Sequence, residues 1–287
     1  MRYFVKLFIL SYPRYLMSSI IRILCVGIIY YFAAKYFWGI DSIVFTVVIA
    51  LLATIIVHGI STFRGVKSTK KEYELMTRIE AEAKAKNGSL SAETIKELEE
   101  HLNNMEPSGI KIPFINTFVV VLAGYYQKKS EFNKAMDILD KFSKATLDDP
   151  SITDTGIMEY YSFRITSCSY LNETDKLESY YNDAMKFIDS KKKKNDLMNV
   201  SIKCFKINRA IANGDIDEAE TLIAPLLESD KSDDVVGAYI FMARCAAKRG
   251  DKQKVCEYFD KAAELSAKGM DEDALKLRKE YILDRMN

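Results

Sequence analysis

Histidine is nearly missing from this chain: His58 and His101 are the only two in 287 residues. Without a His-x-x-x-His pair or a Cys/His cluster, zinc has no evident ligand set, and acid–base catalysis lacks its commonest side chain. Five prolines and twelve glycines are few for this length. With abundant Ala, Leu, Lys and Glu, they speak against a β-rich protein and for an all-α one. The five cysteines (Cys25, Cys168, Cys204, Cys245, Cys256) are odd in number, scattered and never spaced Cys-x-x-Cys. That excludes a disulfide framework and fits reduced thiols. No phosphate-cradling glycine loop, nucleophile elbow or kinase signature occurs. The acidic run at 230–234 fails as a calcium loop, because Val235 stands where Gly is needed and Phe241 where Glu is needed. No catalytic residue, metal site or cofactor is assigned, and an enzyme is not expected.

Strong charge of one sign is also absent, since the net charge is +1. Residues 1–64 carry six Lys/Arg and one acid, while the remainder carries 35 Lys/Arg and 39 acids. The basic excess belongs to the N-terminal end, so the rest has no global attraction for nucleic acid. Lys191–Lys194 sits beside Asp189 and Asp196 and reads as a solvated loop.

What is present is a long apolar run. Ser42–Phe63 is 22 residues without a formal charge, and eleven residues between Ile43 and Val57 are Ile, Leu, Val or Phe. About 20 apolar residues cross a bilayer core, so a transmembrane helix is expected at about 42–63. A second segment, about 16–38, is interrupted by Arg22 and Lys35 near its ends and crowded with Tyr, Phe and Trp at one end. Such a segment either spans, with its bases reaching the interface, or lies in the interface. If both span, residues 1–64 form a hairpin anchor. Bases flanking its open ends place both termini in the cytoplasm, in an integral membrane protein of the bacterial cell-membrane type.

Residues 65–110 read as a helical linker or stalk. One helix, capped at Ser68 or Thr69, ends at Asn87-Gly88; a second, capped by Ser91, runs to about Met105 before Pro107-Ser108-Gly109. Beyond them, helical pairs recur with a period of 36 to 44 residues. Ala-Asn-Gly-Asp (212–215) and Lys-Arg-Gly-Asp (248–251) place two glycines 36 apart, each where one helix stops and the next, capped by Asp, starts. Small and large apolar residues fall at matching places around them: Met242, Ala243, Ala246, Gly250, Val255, Phe259 and Ala262 in the fourth pair, Leu122, Ala123, Tyr126, Ala135 and Leu139 in the first. Ser130 takes the turn in the first pair; in the second, Thr174 takes the turn and Ser179 the small position.

These pairs resemble tetratricopeptide repeats. The resemblance implies an α-solenoid over residues 111–287, with a final helix (about Asp271–Met286) as its polar cap. It also implies a concave groove that takes a protein or peptide segment. By register the groove residues are Gln127, Lys128, Arg164, Asn208, Arg244 and Lys248, a basic and polar set suited to an acidic or carboxylate-bearing ligand. The expected function is a membrane-anchored scaffold or adaptor that recruits partners to a membrane complex. The alternative is an accessory subunit whose hairpin assembles with itself, as a homo-oligomer, or with a transporter or secretion complex, the repeats being regulatory.

Overall fold

The computed structural model describes residues 70–85, 90–104, 115–141, 153–191, 195–266 and 272–286, with residues 52, 55, 56, 59, 60 and 147 besides. Every regular element among the described residues is an α-helix, and none is a strand. The chain divides into two compact units, residues 1–77 and 78–287.

In the first unit Leu52, Ile55, Ile56, Gly59 and Ile60 are helical. The four aliphatic side chains among them are exposed, from 42% at Ile55 to 60% at Ile56. The rest of the two expected spans, 16–38 and 42–63, lies outside the described residues, His58 included. Among the described residues no helix is long and apolar enough to cross a membrane.

The boundary between units falls inside helix α1 (Lys70–Ala85). In the second unit, Ser91 caps α2 (Ala92–Asn103) as expected, its hydroxyl accepting the Thr94 N–H at 3.3 Å. The Glu82 carboxylate accepts from the Ser91 N–H and the Thr94 hydroxyl, both at 2.8 Å, where the helix dipole favours negative charge. Leu98 and Leu102 are fully buried on α2, a burial that stabilises by about 1.5–3 kcal/mol each. Lys141 reaches the Leu102 carbonyl at 3.3 Å, and the Tyr126 hydroxyl donates to Glu99 at 2.8 Å. The second helix of the expected linker is therefore packed onto the helices that follow it. His101 is half-buried, edge-on to Phe118 at 5.6 Å.

Four helix pairs come next: α3 (Ile115–Lys128) with α4 (Phe132–Lys141), α5 (Asp154–Leu171) with α6 (Thr174–Asp189), α7 (Asp196–Asn213) with α8 (Ile216–Leu227), and α9 (Ser232–Lys248) with α10 (Lys252–Ser266). Consecutive helices pack against one another. Each pair turns on one residue in the left-handed region: Ser130 (φ 59°), Asn172 (φ 58°), Gly214 (φ 83°) and Gly250 (φ 75°). The following N–H closes the same loop every time: Glu131 to the Tyr126 carbonyl at 2.8 Å, Glu173 to Cys168 at 3.0 Å, Asp215 to Ala210 at 2.9 Å, Asp251 to Ala246 at 2.9 Å. This is the Schellman closure that satisfies carbonyls left open at a helix end. The donating residue is always acidic and opens the next helix, at the positive end of its dipole.

Burial follows the same register. Five residues past each turn stand Ala135, Leu177, Ala219 and Val255, and seven before it stand Ala123, Ile165, Ile207 and Ala243, all at 0% exposure. The second turn lies at Asn172 rather than Thr174: asparagine tolerates the left-handed region, whereas a β-branched threonine does not. Thr174 instead begins α6, Ser179 is exposed, and Leu177 fills the buried position.

Helix α11 (Glu272–Asp284) does more than cap the last pair. Lys279 pairs with Asp260 of α10 at 2.9 Å, but α11 also reaches back across the stack. Arg278 donates to the Gln127 carbonyl, and the Tyr281 hydroxyl donates to the Tyr170 carbonyl at 3.4 Å. Leu275 and Ile282 are buried in one cluster with Phe132, Tyr170, Ala246 and Phe259. The final helix thus touches the first helices of pairs one, two and four.

Candidate functional site

The first helices of successive pairs are tied together by buried polar side chains. Gln127 on α3 donates to the Phe163 carbonyl at 2.7 Å and to the Ser167 hydroxyl at 2.8 Å, both on α5. From α5, the Ser169 hydroxyl donates to the Asn208 carbonyl on α7 at 2.9 Å. Asn208 Oδ1 accepts from Arg244 on α9 at 2.7 Å, and the same guanidinium donates to Ser169 Oγ. A buried polar group left without a partner costs about 1–3 kcal/mol, so this ladder fixes how each pair sits on the next.

Arg244 is 5% exposed. Its guanidinium lies 4.1 Å from the centre of the Tyr170 ring, and its two hydrogen-bond acceptors are both neutral. Around it gather three more cations. Lys248 donates to Asn172 Oδ1 at 2.8 Å. Arg278 sits 4.8 Å from the Tyr170 ring centre and 4.9 Å from that of Phe132, and Arg285 sits 3.6 Å from that of Tyr281. The rings themselves form one group, with Phe132 stacked on Tyr170 at 4.2 Å and Tyr281 edge-on to Phe132 at 4.9 Å. Among the described residues, none of these four cations forms an ion pair with a carboxylate. Burial, with Arg278 close by, holds the Arg244 guanidinium below its ordinary value; burial and Arg244 do the same to Lys248.

A cavity of about 160 Å³ opens beside this cluster, between α11 and the first helices of pairs two, three and four. Ser169, Tyr170, Arg244, Lys248, Tyr281 and Arg285 are in its wall, and no Asp or Glu is. Chemically it is a compact, strongly electropositive recess with hydroxyl and ring edges, suited to holding an anion.

The six residues expected to line a groove separate into different environments. Arg244, Asn208 and Lys248 come together here. Gln127 is 8% exposed and meets the cluster through its own carbonyl, which accepts from Arg278. Lys128 is exposed and borders a second, mostly apolar cavity of about 410 Å³, walled by Ile79, Ile95, Val120 and Phe163 among others. Glu159 lines that cavity, and burial pushes its carboxyl above the usual range. Arg164 belongs to neither: it is 1% exposed and faces the second helices of pairs one and two. There it donates to Asp140 and to the Leu139 carbonyl, both at 2.6 Å, and to the Tyr180 hydroxyl. The reason is register. Counting back from the true turns, Asn208 and Arg244 both stand six residues before, whereas Arg164 stands eight before Asn172, where the first pair buries Leu122.

Sequence reasoning missed Ser169, Tyr170, Asn172, Arg278, Tyr281 and Arg285. The asparagine at 172 was the available signal, because it resets the second pair and brings Tyr170 to the site. Among the described residues no three His, Cys, Asp or Glu side chains gather as a metal site. Compared with protein-family profiles, curated proteins and solved structures, the chain finds no match.

Proposed function

We propose that this chain is a membrane-anchored scaffold or adaptor, with residues 1–64 held in the bilayer and a tetratricopeptide-like stack of helix pairs recruiting a protein segment at the cytoplasmic face. The observation that carries the reading is the basic recess around Arg244, set where the first helices of the pairs face α11 and lined by no acid. The fourfold repetition of turn, closing hydrogen bond and buried small residue supports the repeat assignment. The uncharged run Ser42–Phe63 and the exposed aliphatics at 52, 55, 56 and 60 support the anchor. Confinement to a surface raises effective concentration, so modest affinity per site suffices.

The test is carbonate extraction of native membranes followed by affinity capture with the full chain as bait. The protein should stay in the membrane pellet. Lys128→Glu and Lys248→Glu, both at exposed positions, should strip specific proteins from the captured set. A chain released by carbonate, or a captured set unchanged by both variants, overturns the reading.

A further inference from the structure

We infer that the cavity between α11 and α9 is a binding site for a phosphate monoester dianion. The inference rests on the recess that carries the recruitment reading and names the chemistry that recess takes. Arg244, Lys248 and Arg285 give the wall three positive charges, and no carboxylate of the wall offsets them. A monocarboxylate would leave two of the three unbalanced, whereas a dianion leaves one. A guanidinium buried to this degree without a counter-ion is costly, because arginine keeps its proton at any ordinary pH.

Donor geometry fits the same ligand. Arg244 commits hydrogens to Asn208 and Ser169, and Lys248 one to Asn172, which leaves N–H groups on both for a tetrahedral oxyanion. Arg285 sits over the Tyr281 ring, 3.6 Å from its centre, a cation–π contact that favours its place at the wall. The volume of about 160 Å³ equals roughly five waters at about 30 Å³ each, room for a phosphate head and a short stem. Arg244 and Lys248 stand on α9, Arg285 at the end of α11. One bound dianion therefore bridges the two helices and clamps α11 over the stack. The phosphate arrives either as a free small molecule or on a phosphorylated side chain; the chemistry recognised is the same.

Calorimetric titration of the full chain in detergent tests this, with inorganic phosphate, a phosphoserine nonapeptide and acetate at matched ionic strength. Phosphate or the phosphopeptide should bind and acetate should not. Binding of both assigns the head alone, and binding of only the peptide assigns a carried phosphate. Lys248→Gln and Arg285→Gln, chosen because both residues are exposed whereas Arg244 also ties α9 to α5 and α7, should each weaken binding about tenfold, the loss of one charge-assisted contact. At ten times the dissociation constant, amide exchange across residues 272–286 should slow about tenfold. Acetate binding as well as phosphate, or a double variant with unchanged affinity, overturns the inference. The recess is the one that carries the recruitment reading, and the inorganic-phosphate arm keeps the two apart: phosphate binding with partner capture unchanged by Lys248→Glu sinks recruitment at this recess and leaves the anion site standing.

Discussion

Arg164 and Arg244 are both buried on first helices of the stack, yet they live in opposite electrostatic settings. Arg164 is neutralised inside the chain: Asp140 supplies the counter-charge, Tyr180 and the Leu139 carbonyl take further hydrogens, and the rings of Tyr160 and Tyr180 lie 4.7 and 4.5 Å away. Arg244 has the ring and the neutral acceptors but no carboxylate, and Arg278 beside it adds a like charge. The contrast separates structure from site. A neutralised arginine locks helices together, whereas one left charged at a cavity wall is poised for something from outside.

The comparison assumes that both arginines sit in packed interior, and a thiol beside each reports on that. Burial pushes Cys168 up to about 12 and Cys245 up to about 11. A thiol raised by two units or more loses at least about a hundredfold in thiolate. Iodoacetamide at pH 8 should therefore modify the half-buried Cys256 and leave Cys168 and Cys245 untouched until the protein unfolds, as read by peptide mass mapping. Rapid native labelling of Cys245 would mean that the packing of α9 on α7 and α8 is loose.

Replacement by methionine breaks the comparison more directly. Arg164→Met removes a guanidinium paired with Asp140 and close to two rings and orphans the Leu139 carbonyl, so it should cost about 2–4 kcal/mol. The Asp140 left behind is half exposed and can turn to water, which keeps the loss below that of a fully buried broken pair. Arg244→Met removes a charge that has no counter-ion, so its cost should stay near 1 kcal/mol, mostly for the Asn208 and Ser169 acceptors. Thermal unfolding followed by circular dichroism ranks the two. Equal losses would erase the distinction drawn here.

The smallest effects come from glycines inside the helices near each arginine. A Cβ at Gly237 of α9 meets nothing within 4 Å, so Gly237→Ala should stabilise by about 0.5–1 kcal/mol through helix propensity. At Gly124 a Cβ would sit 3.1 Å from the Phe163 ring, next to Arg164 in sequence, and the gain should vanish. Identical shifts in melting temperature would show that packing is no tighter on the Arg164 side.

Much of the fold was legible in the sequence because its turns are chemically marked. Gly214-Asp215 and Gly250-Asp251 announce a left-handed stop followed by an acidic start, and Ser130-Glu131 is a weaker version of the same signal. Asn172-Glu173 carries it too. Choosing Thr174 instead slipped the second pair by two residues and drew Arg164 toward the groove set. The site was less legible for a physical reason: it depends on contacts between Gln127 and Arg278, 151 residues apart, and between Tyr170 and Tyr281. Nothing in a local period marks the face of α11 that carries Arg278 and Tyr281, which with Arg285 just past the helix end complete the cluster.

The most direct measurement is an experimental structure of the full chain determined in phosphate. The account predicts a tetrahedral anion within hydrogen-bond reach of Arg244, Lys248 and Arg285, with α11 laid over the stack. A carboxylate of the chain itself paired with Arg244, leaving the recess neutral and empty, would contradict it.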